Sequence, residues 1–346
     1  MTTKHGTAAE ILAEIGGATF KGNVELTANT TAAELARLNN QVTGTITLFS
    51  SGQDLTGSTK DLIDALKGIK GFKGDLTANT VVTVADIKAL KASTQGGLTL
   101  SGDALDSTFV NVKAADIISV FEDVAGAMTG LITIKETITL AQAEKLSALT
   151  TGVVTATIAP ATATDLLDAT FKATDVLSVT FKGTYTATNL IDLDTANGIS
   201  KISLSNKAQA LTVDAGDVAA LVTALDNTGY KGNVTVTGAT AIDIDDLQAL
   251  NKLTTGKITL NDASLADTAS YSETAANLVE AFAGITGLKG DVTISSAANT
   301  VTIAELKAIN KATSGEITVT NDQTLSGSAK DLVEALKDVT LSADST

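Results

Sequence analysis

Carboxylates are the only chemically versatile side chains that this sequence packs at short spacing. Asp243, Asp245 and Asp246 follow a stretch of alternating apolar residues, and Asp192 and Asp194 hold the matching place in a weaker copy of that stretch. Oxygen donors so spaced suit a hard cation such as Ca²⁺, which makes Asp243, Asp245 and Asp246 the candidate metal ligands. The same residues suit a helix start equally well, because free backbone N–H groups and the helix dipole stabilise Asp there without any metal. The residue types favour the cap, and no cofactor is expected. The glycine-and-aspartate nonapeptide of calcium-binding β-rolls is absent from the sequence.

Catalysis needs a nucleophile and an acid or base brought together. The chain has one histidine, His5, in a polar N-terminal stretch, and no cysteine. It holds no GxSxG, GxxxxGK[ST], HExxH or GxGxxG pattern, and its many Ser and Thr residues fall where strands and helix starts use them. A non-enzymatic protein is the expectation. A formal charge of −15 with a pI near 4.4 leaves no basic face for phosphate, so no nucleic-acid partner is expected. No apolar run approaches the roughly 18 residues of a membrane span, and Met1 to Gly17 holds no cleavable leader. These features fit a cytoplasmic protein, a protein exported by a C-terminal signal, or a stretch cut from a longer chain; an extracellular or cell-surface location, reached without a cleavable N-terminal signal, is the expectation.

Those carboxylates lie inside a repeat. Segments opening at Gly22, Gly74, Gly130, Gly232 and Gly290, with a degraded copy at Gly183, recur about every 50 to 58 residues. Each divides into two rungs. The first type begins with a short alternating strand, as in Gly290 to Ser295, then a turn, then a helix opened by a capping box: Thr31/Glu34, Thr83/Asp86, Thr139/Gln142 and Thr302/Glu305, with Asp243/Asp246 as a looser version. These helices run to Thr43-Gly44, Gly96-Gly97, Thr151-Gly152, Thr255-Gly256 and Ser314-Gly315, where Gly is expected to supply a left-handed terminator. The second type pairs a strand such as Lys257 to Leu260 with a longer amphipathic helix, and Ser58/Asp61 and Ser328/Asp331 cap two of these.

A rung of one strand and one helix cannot bury its apolar face alone, so rungs must stack with strands in parallel. The expected fold is an α/β repeat solenoid with a two-rung period, and a β-helix is the alternative. Hydrophobic residues make up 44% of the chain but aromatics only 3%, so its core is built from Val, Ile, Leu and Ala in narrow layers. Regularity weakens at 153–200, which holds the single proline, Pro160, together with Phe171, Phe181 and Tyr185. That segment is expected as an irregular joint between solenoid stretches 1–152 and 201–346. Its aromatics read either as filling for a mis-stacked rung or as a ligand or partner site.

The succession of strand, AANT or TANT turn, TVxxAELKAL-type helix, TTG and ITL resembles the Ala/Thr-rich, cysteine-free repeats of very large bacterial surface proteins, including cyanobacterial and other Gram-negative adhesins and S-layer-like proteins. The resemblance spans about Thr7 to Val339. It implies a structural role in a surface layer or extracellular filament, with no catalytic residues. An adhesin or phage-fibre module that holds a surface carbohydrate or protein is the alternative. The chain reads as opening on a second-type helix and closing on a second-type strand. Head-to-tail self-association through Val24 and Leu26 at one end and Ile317 and Val319 at the other is therefore expected, with a fragment cut from a longer array as the alternative.

Overall fold

The computed structural model describes residues 2–238, 242–260, 271–286, 288–341 and 345. Strands and helices alternate along the chain, and the strands pair in parallel, so the protein is of the α/β class. It forms two compact bodies, Met1–Ala159 with Ala169–Ser178, and Pro160–Asp168 with Val179–Thr346. The boundary between them falls within 153–200.

The N-terminal body runs β1 (Thr3–Gly6), α1 (Ala8–Ile15), β2 (Asn23–Leu26), α2 (Ala32–Gln41), β3 (Ile46–Thr47), β4 (Leu55–Gly57), α3 (Thr59–Leu66), β5 (Leu76–Ala78), α4 (Val84–Ser93), β6 (Leu98–Leu100), β7 (Phe109–Val110), α5 (Ala114–Phe121), β8 (Val124–Ala125), β9 (Ile132–Ile138), α6 (Leu140–Leu149) and β10 (Val154–Ile158). The C-terminal body carries α7 (Ala163–Asp168), most of its chain following β11 (Val176–Phe181), then α8 (Ala187–Asp194), β12 (Ile199–Leu204), β13 (Leu211–Asp214), α9 (Val218–Leu225), β14 (Val234–Thr237), α10 (Ile244–Leu253), β15 (Ile258–Leu260), β16 (Tyr271–Glu273), α11 (Ala275–Phe282), β17 (Ile285–Thr286), β18 (Val292–Ile294), α12 (Ile303–Ala312), β19 (Ile317–Val319), α13 (Ala329–Ala335) and β20 (Val339–Thr340).

One rule organises the sheets. The strand of a first-type module always lies in the middle: β2 between β1 and β3, β5 between β4 and β6, β9 between β7 and β10, β14 between β13 and β15, and β18 between β16 and β19. A second-type module supplies two short strands, one for the sheet behind and one for the sheet ahead. β6 and β7 are such a pair, joined through a 3₁₀ turn at Gly102–Ala104. Along one sheet the register stacks Leu55, Leu76 and Leu98 inward, all buried, and Thr56, Thr77 and Thr99 outward. The sheet of β13, β14 and β15 repeats this with Leu211, Val234 and Ile258 inside and Thr212, Thr235 and Thr259 outside. The two-residue period of a strand puts one side chain in the core and the next in water. Apolar-Thr-apolar strands therefore have only one usable register.

The segment 153–200 keeps the alternation rather than breaking it, with β10, α7, β11 and α8 in succession. Pro160 follows β10, outside the ladder, where a missing N–H costs nothing. Phe171, Phe181 and Tyr185 are all buried, and Phe181 stacks on Tyr185 with centroids 5.3 Å apart. They fill core.

Candidate functional site

The three candidate ligands sit at the start of α10. Asp243 is the residue before its first turn, at φ −63° and ψ 140°, and its carboxylate accepts the Asp245 N–H at 2.8 Å. The expected pairing with Asp246 is replaced by this shorter one. Burial, then the charges of Asp243 and Asp245, hold the Asp246 carboxyl above its ordinary range. Asp192 and Asp194 do not match them: both lie in the last turn of α8, whose start is capped by Thr186. Among the described residues no group of three or more His, Cys, Asp or Glu is placed to hold a metal ion. His5 lies on β1 and meets Glu25 of β2 at 3.1 Å, with both side chains exposed.

Helix starts follow the sequence closely. Reciprocal capping boxes form at Thr31/Glu34, Thr83/Asp86, Thr139/Gln142 and Thr302/Glu305, and also at Thr7/Glu10 and Thr186/Asn189. The backbone N–H of Thr31, then its hydroxyl, hold the Glu34 carboxyl below its ordinary 4.5. Ser58 and Ser328 accept from Asp61 and Asp331 N–H, but the acids answer by accepting from the serine hydroxyls, at 2.7 and 2.6 Å, instead of from backbone.

What the sequence reading missed is that each module also caps its neighbour. The first N–H of α3 donates to Thr80 Oγ1 at 3.0 Å, that of α5 to Glu136 Oε1 at 3.0 Å, and that of α11 to Ser296 Oγ at 2.7 Å. Each acceptor belongs to the following module. The turns leading into α2, α4 and α12 are held the same way, with Thr30, Val82 and Val301 N–H groups donating to the buried Gln53, Ser107 and Gln323.

Helix ends repeat the pattern. Asn39, on α2, donates from Nδ2 to the carbonyls of Asp64 and Lys67 at the end of α3, at 2.8 and 2.5 Å. Asn251, on α10, reaches Glu280 and Ala283 at the end of α11, at 2.8 and 2.6 Å, and Asn310 on α12 reaches Lys337 after α13. Lys91 takes this place on α4 and donates to Glu122 after α5. All four stand at the eighth position of a first-type helix, so a polar residue at that position was the available signal.

The left-handed terminators sit on the other helix type from the one expected. Gly68, Asp123, Asn227 and Gly284, at φ 80°, 63°, 58° and 72°, follow second-type helices α3, α5, α9 and α11. First-type helices end instead on a β-region residue such as Thr254, at φ −117° and ψ 148°. The Thr254 hydroxyl donates to the Gly232 carbonyl at 2.6 Å and accepts the Gly256 N–H at 2.9 Å. Thr94, Thr150 and Thr313 make the same pair of bonds. Gly256 is required for space rather than for φ: a Cβ there would lie 2.2 Å from the Gly232 carbonyl oxygen. Gly44 over Gly22 and Gly315 over Gly290 are as tight.

At α6 the eighth position is Ser147, and the cap becomes a buried cluster. Ser147 Oγ donates to Asp175, which also accepts the Val154 and Lys172 N–H groups at 3.0 and 3.1 Å. Lys172 Nζ bridges to Asp175 at 3.1 Å and donates to the Ser147 carbonyl at 2.6 Å. A serine, a lysine and an aspartate thus meet, but the serine is 4% exposed and every group is bonded, which makes the trio a brace and not a nucleophilic site.

Val24 and Leu26 lie on β2, and Ile317 and Val319 on β19; each strand is hydrogen-bonded on both sides and all four side chains are buried. A strand, β1, precedes the helix that reads as the opening of the chain. These four residues are ladder interior. Outward-facing apolar side chains occur elsewhere, at Val110 on β7, Leu131 before β9 and Val176 on β11, exposed by 52, 49 and 43%. Leu131 stands where the other first-type modules place Asn23, Asp75, Asn233 and Asp291, whose side chains each accept an N–H from the next module.

Two of the surface grooves among the described residues lie between helices. One of about 360 Å³ lies between α11 and α12, lined by Val279, Phe282, Ala308 and Lys311; another of about 300 Å³ lies between α5 and α6, lined by Ile118, Ser119, Glu122 and Lys145. Ser119, the hydroxyl of the second, donates to the Asp116 carbonyl within its own helix at 3.0 Å. No helix among the described residues is long and apolar enough to cross a membrane. No protein-family model and no curated protein matches this chain.

Proposed function

We propose that this chain is a non-enzymatic structural protein, each of its bodies a run of α/β solenoid rungs, and that it works by associating with further copies of itself in a bacterial surface layer or extracellular filament. The observation that carries this reading is the capping of one module by the next. Side chains that could have done chemistry are held in bonds between neighbours, at Asn39, Lys91, Asn251, Gln53, Ser107 and Gln323. Stability then resides in nearest-neighbour contacts, the energetic signature of a stacked repeat. The Thr- and Ala-rich, acidic, cysteine-free composition agrees with a surface location. Association through Val24, Leu26, Ile317 and Val319 would require unfolding, so the contact is assigned to outward residues, with Val110, Leu131 and Val176 the leading set.

Sedimentation velocity over a range of concentrations, with electron microscopy of the same samples, tests this. Ordered filaments or sheets are expected, and their loss when Val110, Leu131 and Val176 are together replaced by Lys. A chain that stays monomeric at high concentration, with or without calcium, overturns self-association.

A further inference from the structure

Among the asparagines, Asn197 alone is followed by glycine. It lies in the turn between α8 and β12, where Ala196 N–H donates to Leu193 and Ile199 N–H to Ala196, at 3.1 and 3.5 Å. Its side chain is exposed and has no hydrogen-bond partner among the described residues. Other asparagine amides are tied down: those of Asn39, Asn251 and Asn310 donate to helix-end carbonyls, and those of Asn23, Asn189 and Asn233 accept backbone N–H groups. Gly198 has φ 76°, carries no Cβ to hinder approach, and its N–H likewise has no partner among the described residues.

We propose that Asn197-Gly198 is a self-modification site at which the chain deamidates through a cyclic imide. The Gly198 backbone nitrogen attacks Asn197 Cγ. The new N–Cγ bond forms, the Cγ–Nδ2 bond breaks, and the amide leaves as ammonia with the proton that Gly198 gives up. Water then opens the ring at one of its two carbonyls, to give aspartate or isoaspartate. No oxidant or reductant takes part. Each product adds a negative charge to a turn whose following residues, Ile199 and Lys201, line a polar pocket with Asp194 and Asp226. Isoaspartate also inserts an extra backbone atom directly before β12, the point at which Ile199 begins its strand. The modification therefore acts at the start of that strand.

The test uses the full chain, incubated in mildly alkaline buffer and digested after Lys182 and Lys201 to release one peptide that holds both Asn189 and Asn197. A mass gain of about 1 Da is expected, placed by fragmentation at Asn197 as a doublet of aspartate and isoaspartate peptides, with Asn189 unchanged. Asn197→Gln abolishes the doublet, and Gly198→Ala slows it. A synthetic peptide of the same sequence sets the intrinsic rate. If the folded chain keeps Asn197 intact while the free peptide converts, or if the gain falls on Asn189, the proposal is wrong.

Discussion

The side-chain amide of Asn251 donates to the carbonyl of Ala283, 2.6 Å away and 32 residues along the chain. One residue of a first-type helix thereby closes the end of the second-type helix that follows. The last carbonyls of any helix lack partners inside it. A neighbour that supplies them ties the two modules together, and removing it exposes both.

Asn251→Ala is expected to lower stability by about 1 to 2 kcal/mol through loss of these bonds. Asn251→Asp should be worse at neutral pH, since a carboxylate cannot donate and meets the negative end of the α11 dipole. Chemical denaturation measures the size, and hydrogen exchange should show the loss centred on α11 and β17. Equal effects of Ala and Asp would remove the capping explanation.

Gly256 and Gly284 separate crowding from backbone conformation. At Gly256 an added Cβ meets the Gly232 carbonyl at 2.2 Å, so Gly256→Ala should cost more than about 3 kcal/mol. At Gly284 an added Cβ would meet no described residue beyond its chain neighbours within 4 Å and φ is 72°, so Gly284→Asn, which copies Asn227, should change stability by less than about 1 kcal/mol. Thermal melts of the two variants provide the comparison.

Tyr271 carries a buried hydroxyl with no hydrogen-bond partner among the described residues, and burial pushes its pKa up to about 12. Its ring meets Phe282 edge-on at 5.5 Å, and in the equivalent module Phe109 meets Phe121 in the same way. Tyr271→Phe should therefore stabilise the protein by about 1 kcal/mol, because an unsatisfied polar group leaves the core and the packing stays. A lower denaturation midpoint in this variant would show that the hydroxyl is satisfied in solution.

Glu34 provides a pH signature. Its carboxyl is held below 4.5 in the folded chain, chiefly by the Thr31 backbone N–H, so its contribution is complete above the unfolded value and fades as pH falls through the lower folded value. Glu34→Gln keeps the cap, as Gln142 does at Thr139, and removes the titration. The stability difference between parent and variant should be flat above about pH 4.5 and shrink below it. A difference that grows on acidification would contradict the sign.

The module is legible in local sequence. Alternation in strands such as Val292-Thr293-Ile294 fixed which side chains are buried, and Thr31/Glu34, Thr83/Asp86 and Thr302/Glu305 fixed where helices start, because both signals act within a few residues. How modules hold one another is set by three-dimensional packing. Asn251 and Ala283, Thr254 and Gly232, and Ser147 and Asp175 are separated by 20 or more residues, and nothing local relates them. Gly256 shows the difference most directly: read alone it looks like a left-handed helix stop, whereas the reason for it is a carbonyl of the preceding module that leaves no room for a side chain. The same holds for Val24 and Ile317, whose strands look terminal in the sequence and are flanked on both sides once the sheets assemble, since hydrogen-bonded neighbours are set by three-dimensional pairing and not by order along the chain.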